Sequence, residues 1–263
     1  MLKRMEYKGD GGETISNLDD WENFGKPKIE GHWKKGRSAY ELGADWVGGG
    51  DAADKVQKLL EPEFPGCQLK HGVVEKRTRF DSYRGEVRNH DLLVSGRYDG
   101  GDLIVAVEGK ADEPFGESLV KQQIAAQKRL DSNEASRGIA RLNDLTELFL
   151  SCSATEAVND PELSGFGYQL LTGLAGTLAD AKNADAAVFL VHEFVTDQTH
   201  DAKHDKNAEQ YKRFVKRIGA SVPQDSDGRS SWITPPIEIK GGGDYMPESI
   251  PVSFAKLVTA KRD

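Results

Sequence analysis

Apolar and polar positions alternate in blocks along the chain, and the period changes from block to block. Residues 38–46 and 52–60 carry apolar residues at helical spacing. Ser38 followed by Glu41 reads as a capping box for the first of these, and Gly48-Gly49-Gly50 ends it. Pro62 and Pro65 close the second. The pattern then shifts to period two. Gln68 to Phe80 reads as a strand, a polar loop follows from Asp81 to Asn89, and a second strand begins at His90. Leu103-Ile104-Val105-Ala106-Val107 is an unbroken apolar run of the kind found in strands buried on both faces. Asp99-Gly100 lies between the last two strands and predicts a two-residue type I′ hairpin loop. Helices are expected over 117–130, 137–150, 168–182 and 207–218, with a buried strand over 186–195 and a short strand at 237–239. Thr199 to Asn207 reads as a polar loop. The expected fold class is α/β, a mixed sheet flanked by helices on both faces.

The organisation expected is a polar lead-in over residues 1–30, one domain over 31–219, and a C-terminal extension over 220–263 packed on that core. With 263 residues, 37% hydrophobic and 30% charged, the chain is large enough for a substantial core and is not of disordered composition. It has no apolar run of about 18 residues, so no membrane span is expected. Its first 20 residues lack the apolar stretch of a signal peptide. Cys67 and Cys152 lack metal-ligand spacing and read as reduced thiols of a cytoplasmic protein.

The net charge of -8 opposes nucleic-acid binding by the surface as a whole. Two segments depart from it. Lys26, Lys28, Lys34, Lys35 and Arg37 face only Glu30. Lys70, Lys76, Arg77, Arg79, Arg84 and Arg88 outnumber Glu75, Asp81 and Glu86. These segments suit a phosphate backbone, although charge alone favours reading them as ordinary solvated faces.

The chemistry lies around the hairpin. A two-residue loop at Asp99-Gly100 sets Asp91 opposite Glu108. Glu108 and Lys110 are two apart on one strand and share a face. Two carboxylates and an ammonium then meet at the end of an apolar strand pair. Opposed like charges repel on a sheet, and a divalent cation would relieve that repulsion. Oxygen donors of this kind suit Mg²⁺, with Mn²⁺ an alternative. The same residues also allow a plain salt bridge at a strand end. A one-residue slip in register would place Asp91 on the other face.

These residues, Asn-His-Asp91 followed by Val-Glu108-Gly-Lys110, resemble the PD-(D/E)XK nuclease superfamily. Further segments extend the likeness to a bacterial branch of it. They are His-Trp33-Lys-Lys-Gly-Arg-Ser-Ala, Glu108-Gly-Lys110-Ala-Asp-Glu-Pro-Phe115-Gly, Tyr168-Gln-Leu-Leu and Phe189-Leu-Val-His192-Glu-Phe194. The resemblance implies a restriction-endonuclease-like core and a metal-dependent nuclease acting on DNA in restriction, repair or anti-phage defence. It implies Asp91 and Glu108 as metal ligands, Lys110 as the catalytic lysine, and a carboxylate from an early helix, for which Glu41 is the candidate. The position that often holds proline is His90 here. Lys34, Lys35, Arg37, Arg77, Arg79 and Arg88 are the expected backbone contacts, with Gln123 as a candidate to touch a phosphate or orient Lys110. A homodimer is a possible assembly. The other expectation is a catalytically inactive module of the same fold that binds nucleic acid or protein.

Overall fold

The computed structural model describes residues 5–25, 33–85 and 87–260. Lys26, Lys28, Glu30, His32 and Glu86 therefore lie outside the described residues. The chain opens with β1 (Glu6–Gly9), β2 (Thr14–Ile15) and α1 (Leu18–Gly25), so part of the expected lead-in is ordered structure. Next come α2 (Ser38–Trp46), α3 (Ala52–Leu60), β3 (Gln68–Thr78), β4 (Arg88–Tyr98) and β5 (Gly101–Lys110). Four helices follow: α4 (Leu119–Ser132), α5 (Gly138–Leu150), α6 (Ala154–Asn159) and α7 (Tyr168–Asp180). Then come β6 (Ala186–Val195), α8 (Asp201–Ile218), β7 (Trp232–Ile233), β8 (Ile237–Lys240) and β9 (Ser249–Ala260).

The strands form one mixed sheet in the order β2-β1-β3-β4-β5-β6-β9-β7, with β8 also on β9. β3, β4 and β5 are an antiparallel meander, and β6 and β9 run parallel to β5. Helices cover both faces, which places the fold in the α/β class. One face packs Leu42, Trp46, Val56, Leu92, Val105 and Val107 under α2 and α3. The other packs Leu170, Leu174, Phe189, Phe214 and Phe254 under α7 and α8. β6 is buried almost end to end, as its apolar run requires.

Several expectations are corrected. Arg37, not Ser38, is the N-cap of α2, and no side chain caps that end. Ser38 instead donates its N–H to Glu113 Oε1 at 3.3 Å. Neither Asp99 nor Gly100 has positive φ, so the hairpin loop is not type I′; Gly101 takes the positive φ, 135°. The register is nonetheless that of a two-residue loop, with Tyr98 opposite Gly101 and Leu92 opposite Val107. Residues 201–207 are the first turns of α8 rather than a loop, with His200 at its N-cap. The segment after Ala220 supplies β9, a strand of 12 residues inserted in the sheet beside β6. No helix among the described residues is long and apolar enough to cross a membrane. Cys67 and Cys152 are free thiols.

β3 and β4 have a register irregularity between Leu69 and His71, and β4 and β5 separate at the other end of the sheet. Pairing of β4 with β5 stops at Leu92 opposite Val107. Beyond it, β4 stays with β3 through Arg88, and β5 stays with β6 through Lys110. β3 and β4 also roll over at this point. Val74 and Leu92 belong to the α2–α3 layer, yet Thr78 and His90 both reach Asp180 on α7 in the opposite layer. Between them sits Glu75, a non-glycine residue at φ 52°. A left-handed residue within a strand reverses the direction of the side chains that follow.

Gly176 on α7 is what lets that helix lie against the rolled strand. A Cβ there would meet His90 Nε2 at 2.5 Å and Arg88 Cγ at 2.7 Å. Gly176→Ala should therefore destabilise the fold by about 1–3 kcal/mol through overpacking. Urea denaturation reads this directly, and an unchanged midpoint would contradict the close approach.

Candidate functional site

The site lies where β4 and β5 part. Asp91 is the first residue beyond the last β4–β5 pair, and its carboxylate reaches across to β5. Asp91 Oδ2 accepts the Gly109 N–H at 2.7 Å. Glu108 and Lys110, either side of Gly109, are both buried on the α7 side. Lys110 Nζ donates to Glu108 Oε1 at 2.7 Å and to Gln169 Oε1 at 3.1 Å. Its ammonium also lies 5.3 Å from the centre of the Phe115 ring, a cation–π distance. Asp91, Glu108 and Lys110 are thus brought together by the register the sequence predicts.

Two further members were missed. Glu75 stands between the pairs Val74 with Leu92 and Lys76 with His90, which puts it across from Asp91. Its carboxylate accepts from the Asn89 side chain. The residue carries an ordinary strand sequence around it, and nothing in the pattern announces the left-handed backbone. Gln169 belongs to the Tyr168-Gln-Leu-Leu segment, whose apolar residues fix the helix face and so place Gln169 toward Lys110. That segment was the available signal. Lys110's glutamine partner is therefore on α7, not the Gln123 of α4.

Arg88 needs correction, and Glu41 has a structural partner. Arg88 was expected on the surface as a backbone contact, but it is buried, and its guanidinium pairs with Glu108. The roll of β4 turns it inward toward α7. Glu41 is also buried, and its Oε1 accepts the Gly36 N–H at 2.8 Å. That bond anchors the loop ahead of α2. The charged groups that act most on Asp91 are Glu108, Glu75, Lys110 and Arg88.

Three carboxyls thus face two cations, Arg88 and Lys110. Glu108 takes both cations. Against the upward push of its own burial, Arg88 and Lys110 hold its carboxyl at about 2. Asp91 and Glu75 make no ion pair among the described residues. Burial, then repulsion from Glu108 and Glu75, lifts the Asp91 carboxyl well above the usual carboxylate range. Burial likewise raises Glu75 to about 7, with Glu108 adding to the rise and the Asn89 hydrogen bond opposing it. Full ionisation of Asp91 and Glu75 is therefore disfavoured, and both carboxyls tend to keep their protons when no cation is bound. Among the described residues, no three His, Cys, Asp or Glu side chains stand in a ready metal-holding group.

The surrounding residues fix this edge of the sheet. Asp112, two residues past Lys110, is buried between Arg37 Nη1 at 3.2 Å and Lys203 Nζ at 3.1 Å. Lys34, Lys35 and Arg37 are exposed, as are Arg77 and Arg79 on the strand side of the same end. Next to Lys110 in the sheet is Glu193. It joins Lys256 Nζ at 2.5 Å and His204 Nδ1 at 2.8 Å in a second buried polar group.

The raised Glu75 carboxyl has a consequence for stability. Its folded value lies above its unfolded one, so ionising it costs stability as pH rises from about 4.5 through about 7. Without added metal, Glu75→Gln should raise the urea midpoint at pH 8 and change it little at pH 4. An equal change at both pH values would contradict the proposed environment.

A sequence-family profile described as "Domain of unknown function (DUF6946)" matches residues 14–239. No curated protein and no solved structure was found to match the chain.

Proposed function

The chain belongs to that family of unknown function, and we propose that it is a PD-(D/E)XK-type, Mg²⁺-dependent nuclease acting on DNA. One observation carries the reading: Glu75, Asp91 and Glu108 stand on three neighbouring strands, with Lys110 beside them, where the sheet opens. The meander β3–β4–β5 followed by parallel β6, with helices on both faces, supports a restriction-endonuclease-like core.

The donor chemistry fits a hard divalent cation. Asp91 and Glu75 offer carboxyl oxygens with no ion-pair partner among the described residues, and their raised pKa values mark carboxyls whose ionised form a bound cation would stabilise. Asp91, Glu75 and Glu108 would hold the ion, which lowers the pKa of a bound water and polarises a phosphoryl oxygen. Lys110 is fixed by Glu108, Gln169 and Phe115 with its ammonium at the site. From there it can stabilise the charge that grows on phosphate oxygens as water attacks phosphorus. Lys34, Lys35, Arg37, Arg77 and Arg79 rim the same end of the sheet and would hold the backbone on either side. Because the whole chain carries a charge of -8, such binding would be local and sensitive to salt.

One observation favours a second reading, a nuclease-fold module without catalysis. The buried Arg88–Glu108 pair takes up a carboxylate oxygen that a metal would use.

The two readings part on one assay. Purified protein is incubated with plasmid, linear and single-stranded DNA in Mg²⁺ or Mn²⁺, alongside Lys110→Ala. A nuclease cuts at least one substrate, and Lys110→Ala lowers the rate by roughly 10²-fold or more. If wild type and Lys110→Ala leave every substrate equally intact, the catalytic reading fails for those substrates.

A further inference from the structure

We infer that Arg88 is an internal counter-ion that occupies Glu108 in the absence of metal and must yield it to a divalent cation, so that Arg88 sets the metal affinity of the site. The inference rests on the reading of Asp91, Glu75 and Glu108 as a cation site.

Glu108 has two oxygens, and each is taken by a different cation of this chain. Lys110 holds Oε1, and Arg88 Nη2 holds Oε2. The two bonds differ in kind. Lys110 has two further partners, Gln169 Oε1 and the Phe115 ring. Those contacts fix the ammonium whether or not Glu108 is shared. Arg88 is held mainly by Glu108. Its Nε is buried with no hydrogen-bond partner, although a guanidinium offers five donors in a rigid fork. A buried, half-satisfied guanidinium is costly to keep.

The groups around Arg88 do not make up the deficit. His90, two residues on, is fully buried and faces Asp180 rather than the guanidinium. Across from it is Gly176, which offers space for the arginine stem but no polar atom of a side chain. Asp180 serves Thr78 and His90. Among the described residues, Glu108 is the one carboxylate paired with the guanidinium.

Arg88 thus does for Glu108 what a metal ion would do, while its charge acts on Asp91 and Glu75 only from a distance, without an ion pair to either. With Arg88 in place, three carboxyls face two cations; without it, they face Lys110 alone. Removing the guanidinium both frees an oxygen donor and adds a negative charge to be neutralised. Both effects favour a divalent ion. They also predict that loss of Arg88 destabilises the metal-free fold, since a buried carboxylate is left short of a partner.

Binding of Mn²⁺ to the full chain, read by the loss of the free-ion electron paramagnetic resonance signal, tests this without turnover. Arg88→Gln keeps a donor for Glu108 but removes the charge. Arg88→Lys keeps the charge on a shorter reach and serves if the first variant does not fold. Arg88→Gln should bind Mn²⁺ on the order of tenfold more tightly than wild type, with Arg88→Lys between them, a gain equal to about 1.4 kcal/mol. Adding Asp91→Asn to Arg88→Gln should abolish the gain. Equal Mn²⁺ affinity in wild type and both Arg88 variants overturns the role of Arg88 and leaves the cation site standing. A gain that survives Asp91→Asn places the ion elsewhere and overturns it too. If no form binds Mn²⁺, the cation reading of the site falls, and the inference with it.

Discussion

The structure turns on the separation of two strands. Once β4 and β5 part beyond Leu92 and Val107, residues that would otherwise point into opposite core layers are left around one opening. The apolar ladder keeps the middle of the sheet dry and fixes the register. At its end the chain places three carboxyls and two cations in largely buried positions. Such a group contributes little net stability, because desolvation cancels much of the attraction. Its presence where β4 and β5 part is what motivates the proposed site.

The opening is held from three sides. Asp112 joins the end of β5 to the basic loop before α2 and to α8 through Arg37 and Lys203. Glu113 takes N–H donors from Ser38 and Ala111, and its carbonyl accepts from Asn207. On the helical side, α7 supplies Gln169 to Lys110 and the bare surface of Gly176 to Arg88. Rigid elements therefore fix each charged group, and the expected chemistry needs that precision of placement.

Much of this was legible from the sequence because it depends on local periodicity. The apolar run from Leu103 to Val107 and the Asp99-Gly100 hairpin determine which residues face each other, and the pairing of Leu92 with Val107 follows. The turn type was not legible, since Gly101 could take the positive φ as readily as its neighbour. Glu75 escaped because a left-handed backbone inside a strand leaves no compositional trace. Arg88 was misplaced because its polar surroundings read as a loop over 81–89, whereas β4 already begins at Arg88 and turns it inward. β9 escaped because Pro251 interrupts its reading as a strand, while the tertiary pairing with β6 overrides that signal. The beginning of α8 was hidden by a polar sequence whose buried face, His204 and Asn207, is itself polar.

The central claim is that this opening takes a divalent cation on Asp91 and its neighbours. Crystals of the wild-type chain soaked in Mn²⁺, with diffraction measured near the manganese absorption edge, address it most directly. The account predicts an anomalous peak bonded to the Asp91 carboxylate, with Glu108 turned from Arg88 toward the ion. A map with no peak at Asp91, and with the Arg88–Glu108 pair intact at saturating Mn²⁺, would contradict it.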